Sequence, residues 1–77
     1  MAAGDLQAAL HLVERALAIK PDSAAARNSL GTVLLRQGNR VRAVEQFRRA
    51  LELSPDFPEA QANLQAACAS DAPAGKE

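Results

Sequence analysis

The pair Pro21-Asp22 returns as Pro55-Asp56, and the rest of the chain keeps the same 34-residue offset. Gly4 maps to Gly38, Ala9 to Ala43, Leu10 to Val44, Val13 to Phe47 and Arg15-Ala16-Leu17 to Arg49-Ala50-Leu51. Ile19 maps to Leu53, Ala26 to Ala60 and Leu30 to Leu64. Most of these positions are small or apolar, so what repeats is a packing pattern. A chain that spends its length on one repeated unit has few architectures open to it, because such a unit covers its apolar face by stacking on a neighbour.

Within the unit the spacing is helical. Val41, Val44, Phe47, Ala50 and Leu51 trace one face of a helix, and Arg42, Glu45, Arg48, Arg49 and Glu52 occupy the other. Glu45 with Arg49, and Arg48 with Glu52, stand at i, i+4, where each pair adds a few tenths of a kcal/mol. Pro21 and Pro55 lack the donor a continuing helix would use, and Gly38-Asn39 supplies a residue tolerant of positive φ followed by a candidate N-cap. Ser23 or Asp22 can cap the helix beginning near Ala24, and Asp56-Phe57-Pro58-Glu59 has the spacing of a capping box. Four helices are predicted, at about 5–20, 24–37, 40–53 and 58–70. Abundant Ala and Leu, two Phe and no Trp or Tyr suit close helix packing better than a β-sandwich, so the class is all-α.

These residues give the chain a resemblance to the tetratricopeptide repeat family, whose unit is a helix-turn-helix of about 34 residues. Leu30-Gly31 resembles the family's Leu-Gly pair, Gly38 its turn glycine and Ala43 the small residue where the helices cross. Phe47 matches its aromatic, Ala50-Leu51 its second close contact and Pro55 its terminal proline. Arg27 stands where the family often has tryptophan, and Gln65 replaces the small residue that Gly31 supplies.

The resemblance implies antiparallel helix pairs stacked as a short α-solenoid over residues 1–70. It divides into a half-repeat at 4–23, a full repeat at 24–57 and a half-repeat or capping helix at 58–70. Residues 71–77, small, polar and proline-containing, are expected to form a flexible tail.

The family's function is to hold a protein or peptide on a concave face lined by the first helix of each unit, without catalysis. By resemblance that face carries Ala25, Asn28, Ser29, Thr32, Leu35 and Arg36, then Glu59, Ala62, Asn63 and Ala66. Of these, Asn28, Ser29, Thr32, Arg36, Glu59 and Asn63 are the candidate binding residues. Asn28, Ser29 and Asn63 can hydrogen-bond an extended peptide or stand as solvated polar residues, and Arg36 can pair with an acidic group. Glu59 and Asn63 hold the positions where some family members clamp a terminal carboxylate, but no lysine is there, so no such clamp is expected.

Other chemistry finds little support. Nine basic and nine acidic side chains leave no general attraction to nucleic acid or anionic lipid. The arginines at 40, 42, 48 and 49 are interleaved with Glu45 and Glu52 and lack an aromatic platform, which favours a solvated face over a phosphate-binding stripe. His11 maps to the outward position Glu45 and has no partner at metal-ligand spacing. Cys68 maps to Leu34 and is expected on an apolar face, with no activating base. No nucleophile or cofactor motif is present, and neither an enzyme nor a cofactor is expected. Without a signal peptide or a membrane-spanning run, a cytoplasmic protein is expected.

The first helix lacks the partner that would precede it in a full repeat, so Leu10, Val13 and Leu17 are expected to stay partly uncovered and to drive self-association. Three functional classes remain: an adaptor that assembles with itself or within a larger array, a structural segment of a larger enzyme, and a nucleic-acid-binding helical repeat.

Overall fold

A computed structural model of the chain describes the backbone of residues 3–76, with side chains from Asp5 to Cys68. Its element order is α1 (Ala3–Ile19), α2 (Ala24–Arg36), α3 (Arg40–Leu53) and α4 (Pro58–Lys76), with no strand among the described residues. The all-α reading holds. The first three helices begin and end within two residues of the positions that spacing predicts.

The exception is the end of α4, whose helical backbone runs to Lys76, past the expected end at 70. Proline normally breaks a helix interior, which is why Pro73 suggested a tail, but Ala66, Ala67, Ala69, Ala72 and Ala74 favour continuation. The side chains of the stretch expected as a tail, 71–77, lie outside the described residues.

Local chemistry sets each boundary. The Ser23 side chain accepts a hydrogen bond from Ala26 N–H at 3.1 Å and so caps α2. The helix closes as a Schellman motif: Gly38 N–H donates to Leu35 O at 3.0 Å and Asn39 N–H to Leu34 O at 2.8 Å. Gly38 has φ +87°, a conformation that L side chains rarely adopt. Asn39 then serves the next helix, its Oδ1 accepting from Arg42 N–H at a long 3.5 Å. At α4 the expected capping box does not form as spaced. The first-turn bond runs from Gln61 N–H to Phe57 O, which makes Phe57 the cap residue and puts Pro58 at the first helical position, where its missing donor costs nothing.

The turn gives a direct test. Gly38→Ala forces a β-carbon into the left-handed region and is expected to cost about 1 kcal/mol. In a domain this small that is a loss of about 4–8 °C in melting temperature. An unchanged melting curve by circular dichroism would contradict the positive φ.

The helices pack as neighbours in sequence: α1 on α2, α2 on α3, α3 on α4, with α2 also touching α4. The result is a slab with extents of 43 × 32 × 16 Å. Its core lies on the α2–α3 seam, where Leu30, Leu34, Ala43, Phe47 and Ala50 are buried, and continues to Ala60 and Ala67 on α4. Phe47 is the one large side chain with no exposed surface among the described residues. It fits because Gly31 lies opposite: a Cβ built there would stand 2.5 Å from Phe47 Cε1.

One expectation about apolar side chains is made more specific and one needs correction. Leu10, Val13 and Leu17, expected to stay partly uncovered, are half-buried and packed against the core, because α2 covers that side of α1. The uncovered large apolar residues of α1 among those described are Leu12 and Ile19, at 66% and 86% exposure. Cys68 is exposed although its counterpart Leu34 is buried, since Leu34 lies under α3 and no described helix covers α4 in the same way.

Candidate peptide-binding face

Helices α2 and α4 lie side by side, and one hydrogen bond ties them together on the predicted face. Asn63 Nδ2 donates to Asn28 Oδ1 at 2.9 Å, across 35 residues of sequence. Asn28 is 9% exposed, the one buried polar residue among those described, and Asn63 is half-buried. Burying a carboxamide without a partner costs about 1–3 kcal/mol, so the bond stabilises the junction between the helices as well as orienting both side chains. Asn28 keeps its amide donors and Asn63 its carbonyl acceptor, the complement of a peptide bond's C=O and N–H.

The other candidates surround this pair. Ser29 and Glu59 are exposed, and Glu59 lies in the first turn of α4, where a carboxylate suits the helix dipole. Thr32 is half-buried, and its hydroxyl donates to the Asn28 carbonyl at 3.1 Å, so it is engaged with its own helix. Arg36 is exposed in the last turn of α2. Ala25, Ala62 and Ala66 are exposed and Leu35 is half-buried, which leaves a shallow floor of small residues. Asn28 and Asn63 are thus joined directly, and the Thr32 hydroxyl is tied back to the same residue's backbone within α2.

Arg27 has a role that the sequence did not disclose. Its Nη1 donates to Gln46 Oε1 at 3.0 Å and its Nη2 to Pro21 O at 3.2 Å, clamping the α1–α2 turn and α2 to α3. Its Nε is buried without a partner among the described residues. The signal was faint: an arginine in place of an aromatic needs an acceptor on the facing helix, and Gln46 was one of several polar residues there. His11 and the outward arginines Arg40, Arg42, Arg48 and Arg49 are exposed, the arginines with Glu45 and Glu52 among them. Among the described residues no helix is long and apolar enough to cross a membrane.

Comparison with known proteins agrees with the geometry. A family model described as tetratricopeptide repeat matches residues 1–69. Protein arginine N-methyltransferase 9 of Homo sapiens is 39% identical over 59 residues, which is 77% of this chain. The protein of the same name from Mus musculus matches to the same extent. The chain spans 7% of the length of each of these relatives.

Proposed function

The chain belongs to the tetratricopeptide repeat family, and we propose from that premise that it is a non-catalytic module holding an extended peptide or protein segment on the α2–α4 face. The observation that carries this reading is the Asn28–Asn63 pair, one side chain buried and the other half-buried, oriented by its own hydrogen bond. An orienting bond lowers the entropy lost when a ligand is captured. Ser29, Arg36 and Glu59 supply polar contacts at the margins, and the exposed alanines let a backbone approach closely. A cytoplasmic location, and assembly with itself or within a larger array, belong to the same proposal.

Binding to an array of unstructured peptides tests it. Asn63→Ala should weaken captured peptides roughly tenfold, since it removes one ligand contact and strands the Asn28 carbonyl. Ala62→Arg, at an exposed site on the same face, should block them while leaving the melting curve unchanged. Peptides with free and amidated C-termini should bind alike, because no lysine stands at the clamp positions. Binding indifferent to both substitutions would remove the face from the proposal.

The similarity to an arginine N-methyltransferase favours a second reading, in which the same module is a structural segment of a larger enzyme. Adjoining coding sequence for a methyltransferase domain would support it.

A further inference from the structure

Three carboxylates that the spacing offers as helix caps, Asp22, Asp56 and Glu59, are not used as caps. Ser23 caps α2, and Phe57 holds that place at α4. All three acids are exposed, and no hydrogen bond or ion pair joins their carboxylates to a described residue. The Asn28–Asn63 bond fixes where they stand. Asn28 lies four residues after Ala24, and Asn63 five after Pro58, so the bond sets the starts of α2 and α4 side by side. Asp22 and Asp56 immediately precede the two cap residues, and Glu59 lies one turn before Asn63, about 6 Å along α4. The α2–α4 face therefore has an acidic edge that recurs from helix to helix. Lys20 is the one basic residue in the two turns there, and Arg27 is turned away onto Gln46 of α3. The positive N-terminal ends of α2 and α4 together amount to about one elementary charge, which with Lys20 still leaves the edge negative.

The asparagine pair sets how a ligand meets this edge. Asn28 is 9% exposed and its Oδ1 is taken by Asn63, which leaves Asn28 Nδ2 to donate and Asn63 Oδ1 to accept. In an extended segment the C=O and N–H of one residue point the same way, and successive side chains alternate to either side. A residue turned down onto the pair gives its C=O to Asn28 and its N–H to Asn63. The segment then crosses the two helices, and its side chains lie along them, alternately toward the acidic edge and toward Arg36 in the last turn of α2.

We propose that the occupant of the α2–α4 face is an extended segment with lysine or arginine at every second position, crossing from α4 to α2 with its basic side chains on Asp22, Asp56 and Glu59. The proposal rests on the peptide-holding reading above and names the chemistry of its ligand. Spacing agrees with it. Packed helices stand about 8–10 Å apart, and alternate residues of an extended chain about 6.6 Å. Flexible basic side chains take up the difference. A run of adjacent basic residues would instead send every second charge away from the carboxylates.

Two isomeric probes test this on the unsubstituted chain: acetyl-Ser-Lys-Ser-Lys-Ser-Lys-Ser-amide and acetyl-Ser-Ser-Lys-Lys-Lys-Ser-Ser-amide, titrated at low salt and followed by nuclear magnetic resonance. The alternating peptide should bind about tenfold more tightly than its block isomer. Asp22→Asn, Asp56→Asn and Glu59→Gln combined, all at exposed sites, should remove that advantage with the helical signal retained. Equal affinity of the isomers, no binding of either, or an advantage that survives loss of the three carboxylates would each overturn the alternating basic ligand. The peptide array separates this failure from that of the face. Array peptides that weaken with Asn63→Ala while the isomers fail to differ reject the ligand chemistry alone, and array peptides indifferent to Asn63→Ala and Ala62→Arg reject the peptide-holding reading with it.

Discussion

Phe47→Ala is expected to abolish the cooperative thermal transition and leave a chain largely unfolded at 25 °C, read by far-ultraviolet circular dichroism. Truncating a buried phenylalanine costs about 3–5 kcal/mol, from lost transfer energy and the cavity left behind. Small domains hold roughly 0.05–0.15 kcal/mol per residue in reserve, so in 77 residues this one change consumes much of the total. The ring is fully buried at the centre of the α2–α3 seam, in a core otherwise made of leucine, valine and alanine, with no second large side chain to take its place. Phe47→Leu keeps most of the volume and should retain a transition at lower temperature. A Phe47→Ala chain melting near the parent temperature would show that the seam does not hold the fold.

Gly31→Ala should destabilise by about 1–3 kcal/mol even though alanine is the better helix former by about 1 kcal/mol. The added methyl would lie 2.5, 2.7 and 2.9 Å from three atoms of the Phe47 ring, which is enclosed and cannot swing aside. The helices must then separate or the ring must leave its rotamer. Combining Gly31→Ala with Phe47→Leu tests the mechanism, since room made on one side relieves crowding from the other. The double variant should therefore be more stable than the sum of the single effects implies, by about 0.5–3 kcal/mol of coupling. Strict additivity would mean that the two positions do not oppose each other.

Much of this fold is legible in the sequence, because its devices are local or repeat at a fixed interval. The proline, glycine and cap residues mark the helix ends to within two residues at three of the four helices. Leu30-Gly31 and Phe47 identify the seam before any coordinates do. What the pattern does not carry is which neighbour covers a given face. Leu10, Val13 and Leu17 form an apolar stripe, but only the placement of α2 shows that they are half-covered and that Leu12 is bare. Cys68 inherits a buried position by offset, yet burial belongs to the helix above, and α3 has no described equivalent there. The candidate face was legible as a set of positions. That Asn28 and Asn63 bond each other is a tertiary fact, and it joins two separate binding candidates into a single unit.

The bend between α2 and α3 leaves no slack. Asn39 closes one helix through its N–H and opens the next through its side chain, so consecutive helices share a single residue as stop and start. One extra residue within that bend would have to be absorbed by breaking one of these bonds, or would rotate α3 by about 100° and carry Phe47 away from Gly31. The link from Ser54 to Phe57 is longer and has no such double commitment in its described bonds. Changes in chain length during the divergence of such sequences should therefore collect at the second link and avoid the first, so that the bend acts as a ruler fixing the length of the repeat.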